Sequence, residues 1–199
     1  MLKTLGLVAF SMAVATPQPP ARSTLTDVRD RRVYQTVRVG PLDWMAENLS
    51  YASADSRCYG DDPSLCTHFG RLYRIADAMT SCPSSWRVPT EHDWQALERT
   101  VGLPSSELEK TGGRGGDLDR KLLVGGEAGF ESQLPGWYDA HLGKYQALGK
   151  AVAYWSSTGA GRQLYWHRDL MPARGGILRS PVDDSYWLSV RCVREPKQT

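Results

Sequence analysis

From Val33 to Val39 the chain alternates, with Val33, Val37 and Val39 on one face and Tyr34, Thr36 and Arg38 on the other, the period of a half-buried strand. Gly40-Pro41-Leu42-Asp43 supplies turn chemistry before a second apolar segment, Trp44-Met45-Ala46, so the two segments predict a hairpin. Leu72, Ile75, Ala76 and Met79 then recur at helical spacing until Cys82-Pro83, where proline discourages continuation. A second helix is predicted after Thr90, an N-cap residue with Asp93 three positions on, followed by Trp94, Leu97 and Val101 on one face and Gly102 at the end. Beyond it the periodicity fades. Thr111-Gly112-Gly113-Arg114-Gly115-Gly116 reads as a surface loop, because no strand precedes it and no Lys-Ser/Thr pair closes a phosphate-binding motif. Short strand-like pieces at 151–156, 163–168 and 186–193 lie among glycines and aromatics. Two helices with short antiparallel strands and a long loop-rich C-terminal segment predict a single α+β domain.

Composition narrows this picture. Hydrophobic residues make up 41% of the chain, with seven Trp and nine Tyr, enough for a sizeable core. Trp44, Trp86, Trp94, Trp155 and Trp187 fall within helix or strand patterns and are expected in that core. The formal net charge of +2, from 24 basic against 22 acidic residues, provides no field of one sign, so a nucleic-acid partner is not expected. Residues 1–15 read as a signal peptide, with Lys3, an apolar run over 5–14 and Ala13-Val14-Ala15 as the cleavage site. That run is too short to span a bilayer, and no cysteine follows it to carry a lipid. No membrane span is expected after cleavage. Residues 16–26, with Pro17, Pro19 and Pro20, read as an extended linker, leaving residues 27–195 as the domain and 196–199 as a tail.

Export puts the four cysteines in an oxidising compartment, where three pairings are possible. Cys58 and Cys66 enclose a short polar loop that closes naturally. Cys82 is then left to reach Cys192, closing a loop worth roughly 4–5 kcal/mol in the chain-entropy account. A zinc site lacks support, since there is neither a CxxC pair nor a paired His.

A succession of ordered segments carries a family resemblance. They include Val33-Tyr34-Gln35-Thr36-Val37-Arg38-Val39-Gly40, Trp44-Met45-Ala46-Glu47-Asn48-Leu49, Gly70-Arg71-Leu72-Tyr73 and Cys82-Pro83-Ser84-Ser85-Trp86-Arg87-Val88-Pro89-Thr90. Gly129-Phe130, Leu134-Pro135-Gly136, Tyr154-Trp155-Ser156-Ser157-Thr158 and Ser189-Val190-Arg191-Cys192-Val193-Arg194 follow. The sequence resembles the Fibrobacter succinogenes major paralogous domain family of exported bacterial proteins and lipoproteins. It departs from the pattern at Arg31, where a turn glycine is usual, at Trp137, where a second glycine is usual, and in lacking the lipoprotein cysteine. The family is similar to C-type-lectin-like domains, in which a cysteine at the end of the first helix is bridged to one in the last strand. That resemblance implies the same Cys82–Cys192 pairing.

Trp137, Tyr138, Asp139, His141, Tyr145, Tyr165, Trp166, His167 and Arg168 sit in or beside Gly-rich stretches without a packing period, and Tyr186 opens the last segment. Mixed aromatic and hydrogen-bonding side chains of this kind make an adaptable contact surface. The expected ligand-binding set is therefore Trp137, Tyr138, Asp139, His141, Tyr165, Trp166, His167, Arg168 and Tyr186. Trp166 and Tyr165 are expected as anchors, with His167 and Arg168 as directional contacts. Asp183-Asp184 reads as a solvated acidic turn, not a calcium site, and no cofactor or metal is expected. The histidines form no HExxH pair, no GxSxG elbow is present and no cysteine is left over as a nucleophile. The expected function is that of a non-enzymatic binding or display protein, secreted or held in the periplasm or cell envelope, with a protein or glycan partner. The alternatives are an enzyme related to the formylglycine-generating oxidases, which use an active-site cysteine pair, and a purely structural envelope component.

Overall fold

The computed structural model describes residues 20–196. The signal-peptide reading, the start of the linker and most of the tail lie outside these residues. The described chain runs β1 (Arg22–Thr26), β2 (Val33–Val39), β3 (Leu42–Met45), β4 (Ser56–Arg57), α1 (Pro63–Phe69), β5 (Leu72–Tyr73), α2 (Ile75–Ser81) and α3 (Glu91–Thr100). It continues through β6 (Gly112–Arg114), α4 (Asp119–Leu122), β7 (Trp137–Asp139), β8 (Lys144–Gln146), β9 (Val152–Gly161), β10 (Leu164–Leu170), β11 (Ile177–Asp183) and β12 (Val193–Arg194). Among the described residues this is a mixed α/β domain with four α-helices and antiparallel sheets. One four-stranded sheet has the order β1-β2-β3-β12, the other β6-β11-β10-β9, and β4-β5 and β7-β8 form two-stranded ribbons.

The predicted hairpin is present, with β2 paired to β3 through Thr36 opposite Met45 and Val39 opposite Leu42. Its outer neighbour corrects the linker reading: residues 22–26 form β1, paired along their whole length with β2. Its β-branched threonines suit an exposed edge strand, in which only Leu25 is partly buried. In the turn between β1 and β2, Arg31 holds φ +62°, a left-handed conformation that glycine adopts without steric cost. The family's usual glycine at this position therefore has a conformational reason. Val33 departs from its predicted face and is 52% exposed, because β2 begins beyond the edge of the core.

The α3 helix forms as expected. Thr90 Oγ1 accepts from the Asp93 N–H while the Asp93 carboxylate accepts from the Thr90 N–H, the reciprocal pair of a capping box. Trp94, Leu97 and Val101 are buried. The α2 helix is shorter than its apolar spacing suggests. Leu72 lies in β5, and the buried face is Ile75, Ala78 and Ser81, while Ala76 and Met79 face solvent. A third helix, α1, occupies what reads as a polar loop. Asp62 caps it by accepting from the Ser64 N–H and Pro63 takes the first helical position, both favourable starts.

Two apolar clusters share β9 between them. Val152 and Tyr154 point into the first with Trp44, Trp94, Leu97 and Phe130, and Ala153 and Trp155 point into the second with Tyr34, Met45 and Tyr73. A strand covered on both faces reads as an unbroken apolar run, as residues 151–155 do. All five core tryptophans named from the sequence are at most 9% exposed. Arg191 is wholly buried and tied to neutral oxygens, donating to Asn48 Oδ1 at 2.6 Å, Met45 O at 3.1 Å and Glu131 O at 2.9 Å, and to Phe130 O. Burial lowers its pKa, and its bonds fasten the last segment to β3 and to the 130 turn.

Both disulfides form: Cys58–Cys66 joins the 58 turn to α1, and Cys82–Cys192 joins the end of α2 to the residue before β12. The Gly-rich stretch at 111–116 is corrected from a surface loop to an edge strand, because β6 pairs with β11 and carries Arg114 into the interior. Beneath α3, Glu98 accepts from Arg114 Nη2 at 2.6 Å and Arg168 Nε at 2.5 Å, and Glu91 accepts from Arg168 Nη1 at 2.6 Å and Arg179 Nε at 2.7 Å. Glu91 and Glu98 are seven residues apart on α3 and so share one helix face. This network joins α3 to the β6-β11-β10-β9 sheet.

Candidate functional site

Opposite the α3 side of that sheet is a cavity of about 330 Å³. Its polar lining comes from Asp139 on β7, Gln146 on β8, and His167 and Asp169 on β10. Trp137 and Tyr186 provide aromatic walls, and Leu142, Ala153, Val182 and Leu188 the remaining apolar surface.

The β7–β8 hairpin is set in place by backbone geometry. Gly136 has φ +69°, and a Cβ there would lie 2.0 Å from the Gln146 carbonyl oxygen. Only glycine allows β8 to fold back so closely over the entry to β7. On its inner side the hairpin is bonded to the last segment by Tyr138 N–H to Trp187 O and Trp187 N–H to Tyr138 O, both 3.1 Å. On its outer side Tyr138 packs edge-on against Tyr145 and Trp187 at 4.8 and 5.2 Å, with the Arg57 guanidinium 4.3 Å from the Tyr138 ring and 4.0 Å from the Trp187 ring. Tyr145 Oη donates to Asp61 Oδ1 at 2.6 Å and its ring meets Tyr59 at 4.9 Å. Burial and the bond to Asp61 push the Tyr145 phenol up to about 12. Tyr59 and Asp61 lie in the loop closed by Cys58–Cys66, so that small disulfide braces the outer wall of the site.

Within the cavity Asp139 is 6% exposed and well satisfied, accepting from the Leu142 N–H at 3.1 Å, Gln146 Nε2 at 3.0 Å and Tyr186 Oη at 3.2 Å. Burial, then the neighbouring Asp139 charge, raise the Tyr186 pKa, keeping the phenol protonated as a donor. His167 and Asp169 are different. They are 7% and 8% exposed, and His167 Nε2 is 3.2 Å from Asp169 Oδ1. Yet neither His167 Nδ1 nor Asp169 Oδ1 has a hydrogen-bond partner. Buried polar atoms left unpaired are costly, so this pair is a strained point in the lining of the cavity.

The geometry divides the nine residues singled out from the sequence. Trp137, Asp139, His167 and Tyr186 meet in the cavity. Tyr138 points out of it into the aromatic stack. Tyr165 shares the His167 face of β10 but packs toward Trp155 at 6.3 Å. Trp166 lies on the other face under the Arg179 guanidinium, 3.6 Å from its ring centre. Arg168 is corrected outright: it is 0% exposed and held by Glu91 and Glu98, so it cannot touch a partner. Strand alternation separates His167 from its two neighbours. That same alternation places Asp169, which sequence reading missed, beside His167, and only the extent of β10 was needed to find it.

His141, at the hairpin tip, forms a clasp across the mouth, with Nε2 2.8 Å from Asp183 Oδ2 and 3.2 Å from Ser185 Oγ. Serine, histidine and aspartate meet here without forming a relay, since a relay needs the carboxylate and the hydroxyl on different ring nitrogens. The hydrogen bond and charge of Asp183 raise the His141 pKa. Among the described residues no group of three or more His, Cys, Asp or Glu side chains is arranged to hold a metal ion.

A disulfide-tied α/β domain with an open cavity lined by aromatic and acidic residues is what fold and site define together. The chain belongs to the Fibrobacter succinogenes major domain family, whose model matches residues 37–194. No curated protein and no solved structure matches it.

Proposed function

We propose that this is an exported binding protein of C-type-lectin-like architecture that recognises its partner through the cavity between the β7–β8 hairpin and β10. The observation that carries this reading is the cavity itself, where Trp137, Asp139, His167, Asp169 and Tyr186 meet beside an apolar lining. The architecture is supported by the disulfide from the end of α2 to the residue before β12. Secretion or placement in the envelope is supported by the two disulfides and the signal-like first 15 residues. The pairing of all four cysteines supports the binding reading over the oxidase alternative, which draws on an active-site cysteine pair.

The test is a glycan and peptide array probed with the wild-type protein and with Trp137→Ala. The proposal expects retained probes to be lost from the variant, with an affinity drop of roughly 2 kcal/mol or about thirtyfold at an anchor position, in a protein that still unfolds cooperatively although Trp137 also packs against the core. Probes retained equally by both proteins, or by neither, would overturn it.

A further inference from the structure

Resting on the cavity's reading as a ligand site, we infer that its occupant is the cationic head of a lysine or arginine side chain carried by a peptide. The first reason is the hydrogen-bonding balance. The Asp139 and Asp169 carboxylates both line the cavity, and an ionised carboxylate is an acceptor only. Tyr186 Oη and one of the two Gln146 Nε2 hydrogens are committed to Asp139, which leaves few free donors in the lining. An ammonium or guanidinium is a donor only, and the lining is rich in acceptors.

Charge points the same way. Asp139 and Asp169 line the cavity and no lysine or arginine does. Arg174 borders a small hollow on another side of Asp169 but forms no ion pair with it among the described residues. Trp137 and Tyr186 offer ring faces to a cation, while Val182 and Leu188 suit a methylene stem. About 330 Å³ is near the lower limit for small-molecule sites, the size for one long side chain and not for an oligosaccharide. A free amino acid would also bring an α-carboxylate, for which this lining holds no cation. That favours a side chain within a peptide.

The experiment is amide NMR titration of the ¹⁵N-labelled, signal-processed protein with N-acetyl-lysine methylamide and N-acetyl-arginine methylamide. The controls are N-acetyl-norleucine methylamide, N-acetyl-citrulline methylamide, free lysine and N-acetylglucosamine. Shifts at Trp137, His167 and Asp169 that saturate at least tenfold more tightly for the two cations than for the neutral analogues, and more tightly than for free lysine, are expected. Asp169→Asn should weaken the cations at least tenfold and leave the neutral analogues unmoved. Equal binding of norleucine and lysine amides, or preferential shifts with N-acetylglucosamine, would overturn the cation inference while leaving the cavity a ligand site. Tighter binding of free lysine would overturn the peptide source alone. If no probe shifts these amides, the inference and the binding reading fall together. The lysine-to-norleucine comparison uses the wild-type protein, so it stands even if the aspartate variant does not fold.

Discussion

Glu98→Gln isolates the charge that holds α3 to the sheet beneath it. The Glu98 carboxylate is 0% exposed and accepts from Arg114 Nη2, Arg114 Nη1 and Arg168 Nε at 2.6, 3.2 and 2.5 Å. Glutamine keeps the volume and opens no cavity, but it removes the negative charge and turns an amide N–H toward one of two buried guanidiniums. Burial already lowers the Arg114 pKa against the opposing pull of Glu98, so this arginine depends on its partner. Breaking a buried ion pair from one side costs about 3–5 kcal/mol, and for a domain of this size each kcal/mol moves the melting temperature by roughly 2–4 °C. The expected fall in thermal scanning is therefore roughly 6–20 °C. Glu109→Gln is the matched control, since its carboxylate is 78% exposed and meets Arg179 Nη2 only at 3.5 Å. It should cost no more than about 1 kcal/mol, a fall of at most roughly 2–4 °C. Equal midpoints for the two variants would refute the assignment of a structural role to the buried network.

The His141–Asp183 clasp has a defined pH window. The raised His141 pKa means its stabilisation is complete below the ordinary value of 6.5 and is lost as pH rises through the raised one. Asp183 is desolvated, but hydrogen bonds from Ser185 and His141 outweigh that and hold its pKa below 3.8, so the acid limit lies lower still. NMR titration should show the His141 ring pKa falling toward 6.5 in Asp183→Asn, and identical curves would contradict the clasp. Replacing Cys82 and Cys192 together by Ser should cost about 2 kcal/mol more, by urea titration, than replacing Cys58 and Cys66, because the enclosed chains differ as 110 to 8 in sequence separation. Equal losses would contradict that ordering. Gly136→Ala should destabilise by more than about 2 kcal/mol through its clash with the Gln146 carbonyl, whereas Gly143→Ala meets no atom within 4 Å and should cost only its backbone strain of about 1–2 kcal/mol. Indistinguishable midpoints would remove the close approach as the constraint on the hairpin.

The elements legible in the sequence were those whose signals are local. The β2–β3 hairpin and α3 announce themselves through alternation, a turn glycine and a capping box, and both disulfides formed as expected. The α2 face was misjudged because seven residues give too few turns to fix a phase, and Leu72 belongs to β5. β11 went unread because Pro181 and the polar residues around it break the pattern, although β10 on one side and β6 near its start hold it in the sheet. The candidate site was half legible for the same reason. Aromatic and polar residues without a packing period located the region, but only strand pairing shows that His167 faces the cavity while Arg168 turns to the carboxylates of α3. Partners such as Glu91, 77 residues away from Arg168, leave no trace in local spacing.

The most direct measurement of the central claim is a crystallographic fragment soak, in which a chemically mixed library is passed over crystals of the protein. The account predicts that bound fragments concentrate between Trp137, Asp139, His167, Asp169 and Tyr186, with a donor group directed at the Asp139 or Asp169 carboxylate. An empty cavity in crystals that leave its mouth open, with fragments gathered elsewhere on the surface, would contradict it.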